Sequence, residues 1–234
     1  MSTDRKRTEV PRVRRTQLER REHTIRRLVS ATIDALLDLG YARTTVNEIC
    51  QRAELSHGAL FRFFPTLPDL VLAGAEEVAR RRIEDFEARF AKARTHTDPN
   101  RAALTLLREA CRSPTNMVFY ELLVAARTDD QLRRRLKPGL QRYHDAILES
   151  AQKVPAVAKL DPQLRSAVVF AVIHLFDGES LVRSVLPEPA SEDARLELLV
   201  SGLDIVLGVD GKNPARARKH KSAKPARPAR AKTK

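Results

Sequence analysis

Residues 44–65 read TTVNEICQRAELSHGALFRFFP and contain two short helix patterns separated by a turn. Thr45 and Glu48 have the spacing of a capping box, in which a Thr hydroxyl and a Glu carboxylate bind backbone N–H groups of the first helical turn. This spacing predicts a helix that begins at residue 46 and runs to about Ala53.

The second pattern begins at Ser56, which can cap a helix that runs to about Phe63 before Pro65 ends it. Val46, Ile49 and Ala53, Leu55 in the turn, and Leu60 and Phe64 supply an apolar inner side. Two short helices joined by a turn and backed by apolar side chains predict a helix-turn-helix, which presents its second helix to the major groove of DNA.

Helix patterns continue on both sides of this unit. Apolar residues recur at steps of three and four from Leu18 to Leu37, which predicts a helix over about 17–39 that Gly40 ends. Pro68 fits the first position of a long fourth helix, and Pro138 predicts a kink or a break where it falls. Further helices are predicted near 101–112, 115–127, 129–153, 161–186 and 191–208. No stretch alternates as a strand does, so the predicted fold is all-α with about nine helices.

The predicted organisation has four parts. Residues 1–16 form a flexible basic arm, 17–66 a three-helix DNA-binding domain, 67–210 a larger helical domain for ligand binding and dimerisation, and 211–234 a disordered basic tail. The tail has no large apolar side chain, so it cannot offset the entropy cost of folding.

The formal net charge of +13 is carried by the two ends of the chain. Residues 211–234 hold ten Lys or Arg and no acid, and residues 1–27 hold ten Lys or Arg against four acids. Residues 28–210 are therefore slightly acidic. Basic ends of this kind bind polyanions such as DNA; the alternative is a solvated tail that only aids solubility.

Several function classes have little support. No apolar run reaches the length of a membrane span and no secretion signal is present, so a cytoplasmic protein without membrane contact is expected. Cys50 and Cys111 lack the spacing of a zinc site or a disulfide framework and are expected to be reduced, packed thiols. Glu179 lies near His174 without a third partner, and no nucleophile elbow, phosphate loop or metal-ligand cluster appears. Neither catalytic residues, nor a cofactor, nor a metal is predicted.

The stretch from Gly40 to Leu70 closely resembles the DNA-binding domain of the TetR family of bacterial repressors, and the likeness covers about residues 17–72. It rests on Gly-Tyr at 40–41, Thr-Thr-Val at 44–46, and then, in register, Ile49, Ala53, Ser56, Gly58, Leu60, an aromatic residue at 61 and Phe64. The resemblance implies phosphate contacts by Thr44 and Thr45 and a groove-facing second helix. The predicted DNA-binding residues are Thr44, Thr45, Ser56, His57, Gly58, Ala59, Phe61, Arg62 and Phe63.

The sequence departs from the family pattern at four positions. Glu54 stands where the family usually has Gly in a left-handed turn, which costs about 1–2 kcal/mol or bends the turn differently. Phe61 replaces the usual Tyr, Phe63 replaces a frequent His, and Leu67 replaces a Lys, so three polar contacts are missing. One hypothesis is that the basic arm and tail supply the lost affinity for the DNA backbone. The alternative is that the basic residues near the first helix are merely its solvated face.

The C-terminal half predicts a homodimer and a ligand pocket. The helix over 161–186 is apolar nearly all round, and the last helix has a wide apolar stripe, so the two can pair with their copies in a four-helix bundle. The resemblance implies the same dimer, a palindromic operator and an effector pocket. The candidate ligand-binding residues are Phe86, Phe90, Met117, Phe119, Tyr120, Tyr143, His144, Phe170 and His174; an ordinary core role is the alternative for each. Few buried acids are expected, which favours an apolar or anionic ligand over a cationic one.

These observations predict a sequence-specific transcriptional regulator, most simply a homodimeric repressor that an unknown small-molecule effector releases from a palindromic operator in double-stranded DNA. A second hypothesis is an architectural DNA binder dominated by its basic tail. A third is that the C-terminal bundle chiefly docks another protein.

Overall fold

The computed structural model describes residues 16–93 and 98–206. Within these ranges the chain forms ten α-helices and no β-strand, so the predicted all-α fold is confirmed. The helices are α1 (Gln17–Leu39), α2 (Val46–Ala53), α3 (His57–Phe61), α4 (Leu67–Ala93), α5 (Pro99–Arg112), α6 (Met117–Ala126), α7 (Asp130–Ala151), α8 (Pro155–Ala158), α9 (Pro162–Arg183) and α10 (Pro189–Val206). Short 3-10 turns cover Tyr41–Arg43 and Pro114–Asn116. The predicted basic tail and residues 1–15 of the predicted basic arm lie outside the described residues.

Local capping signals account for most helix starts. Thr16 and Glu19 form a reciprocal capping box at the start of α1, and the Thr45 hydroxyl accepts a hydrogen bond from the Glu48 N–H at 3.2 Å. Asp129 and Asp161 cap α7 and α9 in the same way. Because these bonds satisfy N–H groups that a helix leaves open at its start, the predicted starts of α1, α2, α7 and α9 agree with the structure within a residue or so.

The structure differs from the predicted helices at two places. Of the kink or break predicted at Pro138, the break does not occur, since α7 continues through the proline. Leu132 and Leu136 before the proline and Tyr143 after it pack into one apolar cluster, which offsets the hydrogen bond that proline removes. The four-residue helix α8 was missed because it is too short to show a period, although its Ala156 is buried.

One apolar cluster joins the DNA-binding helices to the rest of the chain. It begins with Leu28 and Leu36 of α1 and Leu60 of α3 and continues without a gap into α4, α6 and α7. The predicted domain boundary between residues 66 and 67 therefore crosses a shared core. A second cluster, around Phe176, connects α5 with α9 and α10.

Buried ion pairs hold the last helices in place. Arg112 of α5 donates to Glu179 of α9 at 2.7 Å and to Glu192 of α10 at 2.8 Å, and Arg195 also binds Glu179, at 2.9 Å. Glu179 and Glu192 are both buried. Because arginines occupy its carboxylate, Glu179 serves to join helices.

Both cysteines are buried and free, as expected. None of the helices in the described ranges is long and apolar enough to cross a membrane.

The turn between α2 and α3 has the left-handed backbone that the resemblance implied. Glu54 has φ 49° and ψ 48°, and its N–H binds carbonyl groups of the last turn of α2. Its carboxylate accepts a hydrogen bond from Arg27 at 3.0 Å, but the Glu54 side chain is 85% exposed, so this ion pair adds little stability. The turn keeps the family geometry although its residue is not glycine.

We predict that Glu54→Gly raises the free energy of unfolding by about 0.5–1 kcal/mol. Glycine relieves most of the ~1–2 kcal/mol strain of this left-handed backbone. Part of this gain is lost because glycine has more conformational freedom in the unfolded chain. Urea denaturation followed by far-UV circular dichroism measures the change. Glu54→Ala is the matched control, since it removes the same ion pair but keeps the Cβ. Equal stability of the two variants would contradict the prediction.

Candidate functional site

Helix α3 lies on the surface with one residue anchored in the core. Leu60 is fully buried, whereas Phe61 is 47% exposed and Arg62 is exposed beside it. Ser56 accepts a hydrogen bond from the Ala59 N–H at 3.2 Å and so begins the helix. The exposed or half-buried residues Ser56, His57, Gly58, Ala59, Phe61 and Arg62 are therefore accessible to a groove in DNA.

Two predicted DNA-binding side chains turn toward the protein instead. Thr44 is 5% exposed and donates its hydroxyl hydrogen to the Gly40 carbonyl at 2.8 Å. Phe63 packs against the main apolar cluster, and the Arg62 guanidinium lies 6.0 Å from the centre of its ring. Thr45 remains exposed at the start of α2. Leu67, which departs from the family lysine, packs against the same cluster as Phe63.

A carboxylate from α6 holds the turn before α2. Gly40 has φ 74° and ψ 171°, a conformation essentially restricted to glycine. The next residue, Tyr41, donates its N–H to Oε2 of Glu121 at 3.0 Å. A Cβ on Gly40 would lie 2.8 Å from the same oxygen, so glycine allows the carboxylate to approach. Glu121 therefore connects α6 to the segment that leads into α2.

A cavity of about 380 Å³ lies among α4, α5, α6, α7 and α9. Its wall is mainly apolar and aromatic. Seven of the nine candidate ligand-binding residues line it: Phe86, Phe119, Tyr120, Tyr143, His144, Phe170 and His174.

Phe90 and Met117 are not in this wall. Phe90 is one turn beyond Phe86 on α4 and packs with Ala103 and Val154 in a small separate cluster. Its ring stacks on Phe86 at 5.8 Å, behind the cavity surface. Met117 is half-buried at the start of α6.

Three polar residues that sequence reasoning missed form a network in the wall. The Asn116 amide donates to Oδ1 of Asp177 at 2.9 Å and lies 3.0 Å from the Tyr120 hydroxyl. Arg82 donates to the side-chain oxygen Oδ1 of Asn116, and its guanidinium lies 5.7 Å from the ring centre of Phe119 and 5.9 Å from that of Tyr143. Helical spacing in the sequence could have identified two of these three residues. Arg82 is one turn before the candidate Phe86, and Asp177 is one turn after the candidate His174.

Burial shifts the pKa of several titratable groups in and behind the wall. Burial, with the nearby Asp177 carboxylate, raises the pKa of Tyr120 and raises that of the Cys111 thiol to about 12. Burial and the neighbouring His174 lower the pKa of His144. The Arg82 guanidinium and the Asp177 carboxylate are both hydrogen-bonded to Asn116, which connects them.

The described residues contain no group of three or more His, Cys, Asp or Glu that could hold a metal ion. The cavity thus offers aromatic surface, a compensated pair of charges and two imidazoles.

Comparisons with known proteins agree with this geometry. The family profile of the tetR family of bacterial regulatory proteins matches residues 28–73. A protein of Mycobacterium tuberculosis described as an uncharacterized HTH-type transcriptional regulator is 40% identical over 187 residues, which cover 80% of this chain and 96% of the relative. The HTH-type transcriptional regulator CymR of Pseudomonas putida is 31% identical over 129 residues, covering 55% of this chain and 64% of CymR.

Solved structures show the same fold. A TetR-family structure from Mesorhizobium loti superposes with a TM-score of 0.61 at 15% identity, covering 80% of this chain and 98% of that one. The multidrug binding protein EbrR superposes with a TM-score of 0.55 at 21% identity, covering 76% and 93%. The chain belongs to the TetR family of bacterial regulatory proteins and is a DNA-binding helix-turn-helix transcriptional regulator.

Proposed function

We propose that the protein is a homodimeric repressor that binds a palindromic operator through α3 and leaves it when a small molecule occupies the cavity. The observation that carries the proposal is the double role of α6. Phe119 and Tyr120 of this helix line the cavity, while the adjacent Glu121 binds the turn before α2.

This arrangement couples the cavity to the DNA-binding helices. A ligand that displaces α6 also moves Glu121, and with it the Tyr41 N–H. Thr45, which caps α2, lies four residues further on, and α2 packs against α3. Ligand binding can release DNA only if the ligand prefers the displaced arrangement, since only a difference in affinity shifts an equilibrium.

One prediction concerns the hydrogen bond between the Tyr41 N–H and the Glu121 carboxylate. Glu121→Ala leaves the half-buried Tyr41 N–H without its carboxylate, whereas Glu121→Gln keeps an oxygen acceptor. An unsatisfied donor costs about 1–3 kcal/mol, so we expect Glu121→Ala to weaken operator binding by about fivefold or more.

Fluorescence anisotropy with an operator selected from a pool of random duplexes measures this affinity, at one fixed salt concentration because protein–DNA affinities depend on salt. Glu121→Gln should stay within about twofold of the native protein. Native affinity in both variants would argue against the coupling.

The second prediction concerns the exposed side of α3. Removing a side chain that reads a base costs about 1–3 kcal/mol, so Arg62→Ala should weaken binding to the selected operator by about 5- to 100-fold. Arg134→Ala, a change at an equally exposed arginine on α7, is the control. Anisotropy titrations with the operator and with a random duplex distinguish sequence-specific binding from sequence-independent binding. If the native protein binds both duplexes equally, the architectural function replaces the proposed one.

Exposed apolar side chains on α9 and α10 support the homodimer. Val182 of α9 is 60% exposed, Leu198 of α10 is 72% exposed, and Val185 in the turn between the two helices is 87% exposed. A two-fold axis would place the same face of a second copy against them, removing this apolar surface from water. The proposed dimer therefore forms through the last two helices.

We expect Val182→Glu to shift the protein from dimer to monomer, because a carboxylate in an apolar interface loses its hydration. Val124 is a matched control, since it is 64% exposed but lies on α6. Sedimentation equilibrium of Val182→Glu and Val124→Glu tests the interface. A dimer of native strength in Val182→Glu would exclude this face.

A further inference from the structure

The cavity wall indicates the chemistry of its ligand, and this inference rests on the proposed function only in taking the cavity as the effector site. We propose that the ligand is an uncharged aromatic molecule with one oxygen group, and that His144 binds this oxygen.

The first argument is the charge balance of the wall. Asn116 donates to Asp177 at 2.9 Å and accepts from Arg82, so one side chain connects the cation and the anion. Asn116 is only 2% exposed, which keeps this connection away from water. Because both charged groups are already hydrogen-bonded to Asn116, a charged ligand would lose its hydration and would have to compete with this amide for the opposite charge.

The second argument is the position of Arg82. Its Nε is buried without a hydrogen-bond partner in the described residues, so this donor is open to an acceptor oxygen. Its guanidinium lies within 6 Å of the ring centres of Phe119 and Tyr143. The cation is therefore already covered by two aromatic faces, which stabilise it without a bound anion. An anionic ligand would have to break this packing to reach the charge.

The third argument is the distribution of aromatic side chains. Phe86, Phe119, Tyr143 and Phe170 reach the cavity from α4, α6, α7 and α9, so rings face it from several sides. A volume of about 380 Å³ equals about a dozen water molecules at ~30 Å³ each, which is enough for a two-ring molecule. Ring–ring contacts in this space favour a planar aromatic ligand.

The fourth argument identifies the polar contact. His144 and His174 both lie beside Phe170, with ring centres 4.5 and 6.0 Å from it. His174 is exposed, whereas His144 is half-buried and neutral because burial lowers its pKa. A neutral imidazole offers one N–H donor and one nitrogen acceptor. It can therefore bind a hydroxyl or a carbonyl oxygen without adding a charge to the site.

The test uses four probes that share one fluorescent skeleton. The probes are 2-naphthol, naphthalene, 2-naphthoate and 2-naphthylmethylammonium, which are neutral with oxygen, neutral without oxygen, anionic and cationic at pH 7.5. Their fluorescence reports binding to the full-length protein without DNA. One hydrogen bond is worth about 0.5–1.5 kcal/mol, so 2-naphthol should bind about 2- to 12-fold more tightly than naphthalene. Both ions should bind at least about tenfold more weakly than 2-naphthol, since each must compete with Asn116 for the opposite charge.

The two histidines supply matched variants. In His144→Phe, the ratio of the affinity for 2-naphthol to the affinity for naphthalene should fall to about 1. The affinity for naphthalene itself should stay the same. His174→Phe, the same substitution at the second histidine beside Phe170, should keep the preference. A lost hydrogen bond lowers only the affinity for 2-naphthol and so changes the ratio of the two affinities. A general change in cavity shape would alter the affinities for both 2-naphthol and naphthalene.

Three outcomes would overturn the inference: an ion that binds as tightly as 2-naphthol, no binding of either neutral probe, or an unchanged ratio in His144→Phe. Operator release is measured separately with the same probes. If 2-naphthol binds as expected but leaves operator affinity unchanged, the ligand class stands and release by ligand does not. If 2-naphthoate binds more tightly and releases the operator, release by ligand stands and the ligand class is wrong.

Discussion

The hydrogen bond between the Tyr41 N–H and the Glu121 carboxylate joins the two functional parts of this protein. It exists because Gly40 has no Cβ and can adopt a backbone that other residues avoid. The carboxylate thereby reaches a backbone donor at the point where the chain turns from α1 toward α2. A shared apolar cluster packs the helices on both sides of this contact, which supports the proposed coupling of α6 to the helix-turn-helix.

Charge compensation plays a similar part in the cavity. Arg82 and Asp177 come from helices distant in the chain, and Asn116 at the start of α6 satisfies both. Asn116 also donates to the Cys111 carbonyl at the end of α5, so one buried amide positions three helices around the site. The same residue therefore stabilises the wall and gives the cavity its nearly neutral character. An acid in this wall was not expected from the sequence, and Asp177 weakens the reason for favouring an apolar or anionic ligand over a cationic one.

Much of the fold could be predicted from short-range patterns. The starts of α2 and α3 follow from Thr45 and Ser56, whose side chains bind N–H groups three residues away. The left-handed turn at Glu54 was implied by the family resemblance and not by the residue itself, since glutamate disfavours that backbone. Pro138 shows the opposite case: its local preference predicts a break, and packing on both sides of it overrides that preference. The candidate site could be predicted only in part. Aromatic residues on helix faces indicate a possible cavity, but the sequence does not show which of them reach it, as Phe90 illustrates.

The sequence by itself determined the helices, the helix-turn-helix and the family, because capping bonds and helical periods act over three or four residues and can be read along the chain. Only the tertiary structure decided which side chains meet. Thr44 faces the protein because its hydroxyl binds the Gly40 carbonyl in the α1–α2 turn, and Phe63 does so because it packs against the main apolar cluster. Glu121 reaches Tyr41 across 80 positions, and Asn116 reaches Asp177 across 61. Such contacts depend on how helices pack in space, and no local pattern in the sequence records the distance between two of their side chains.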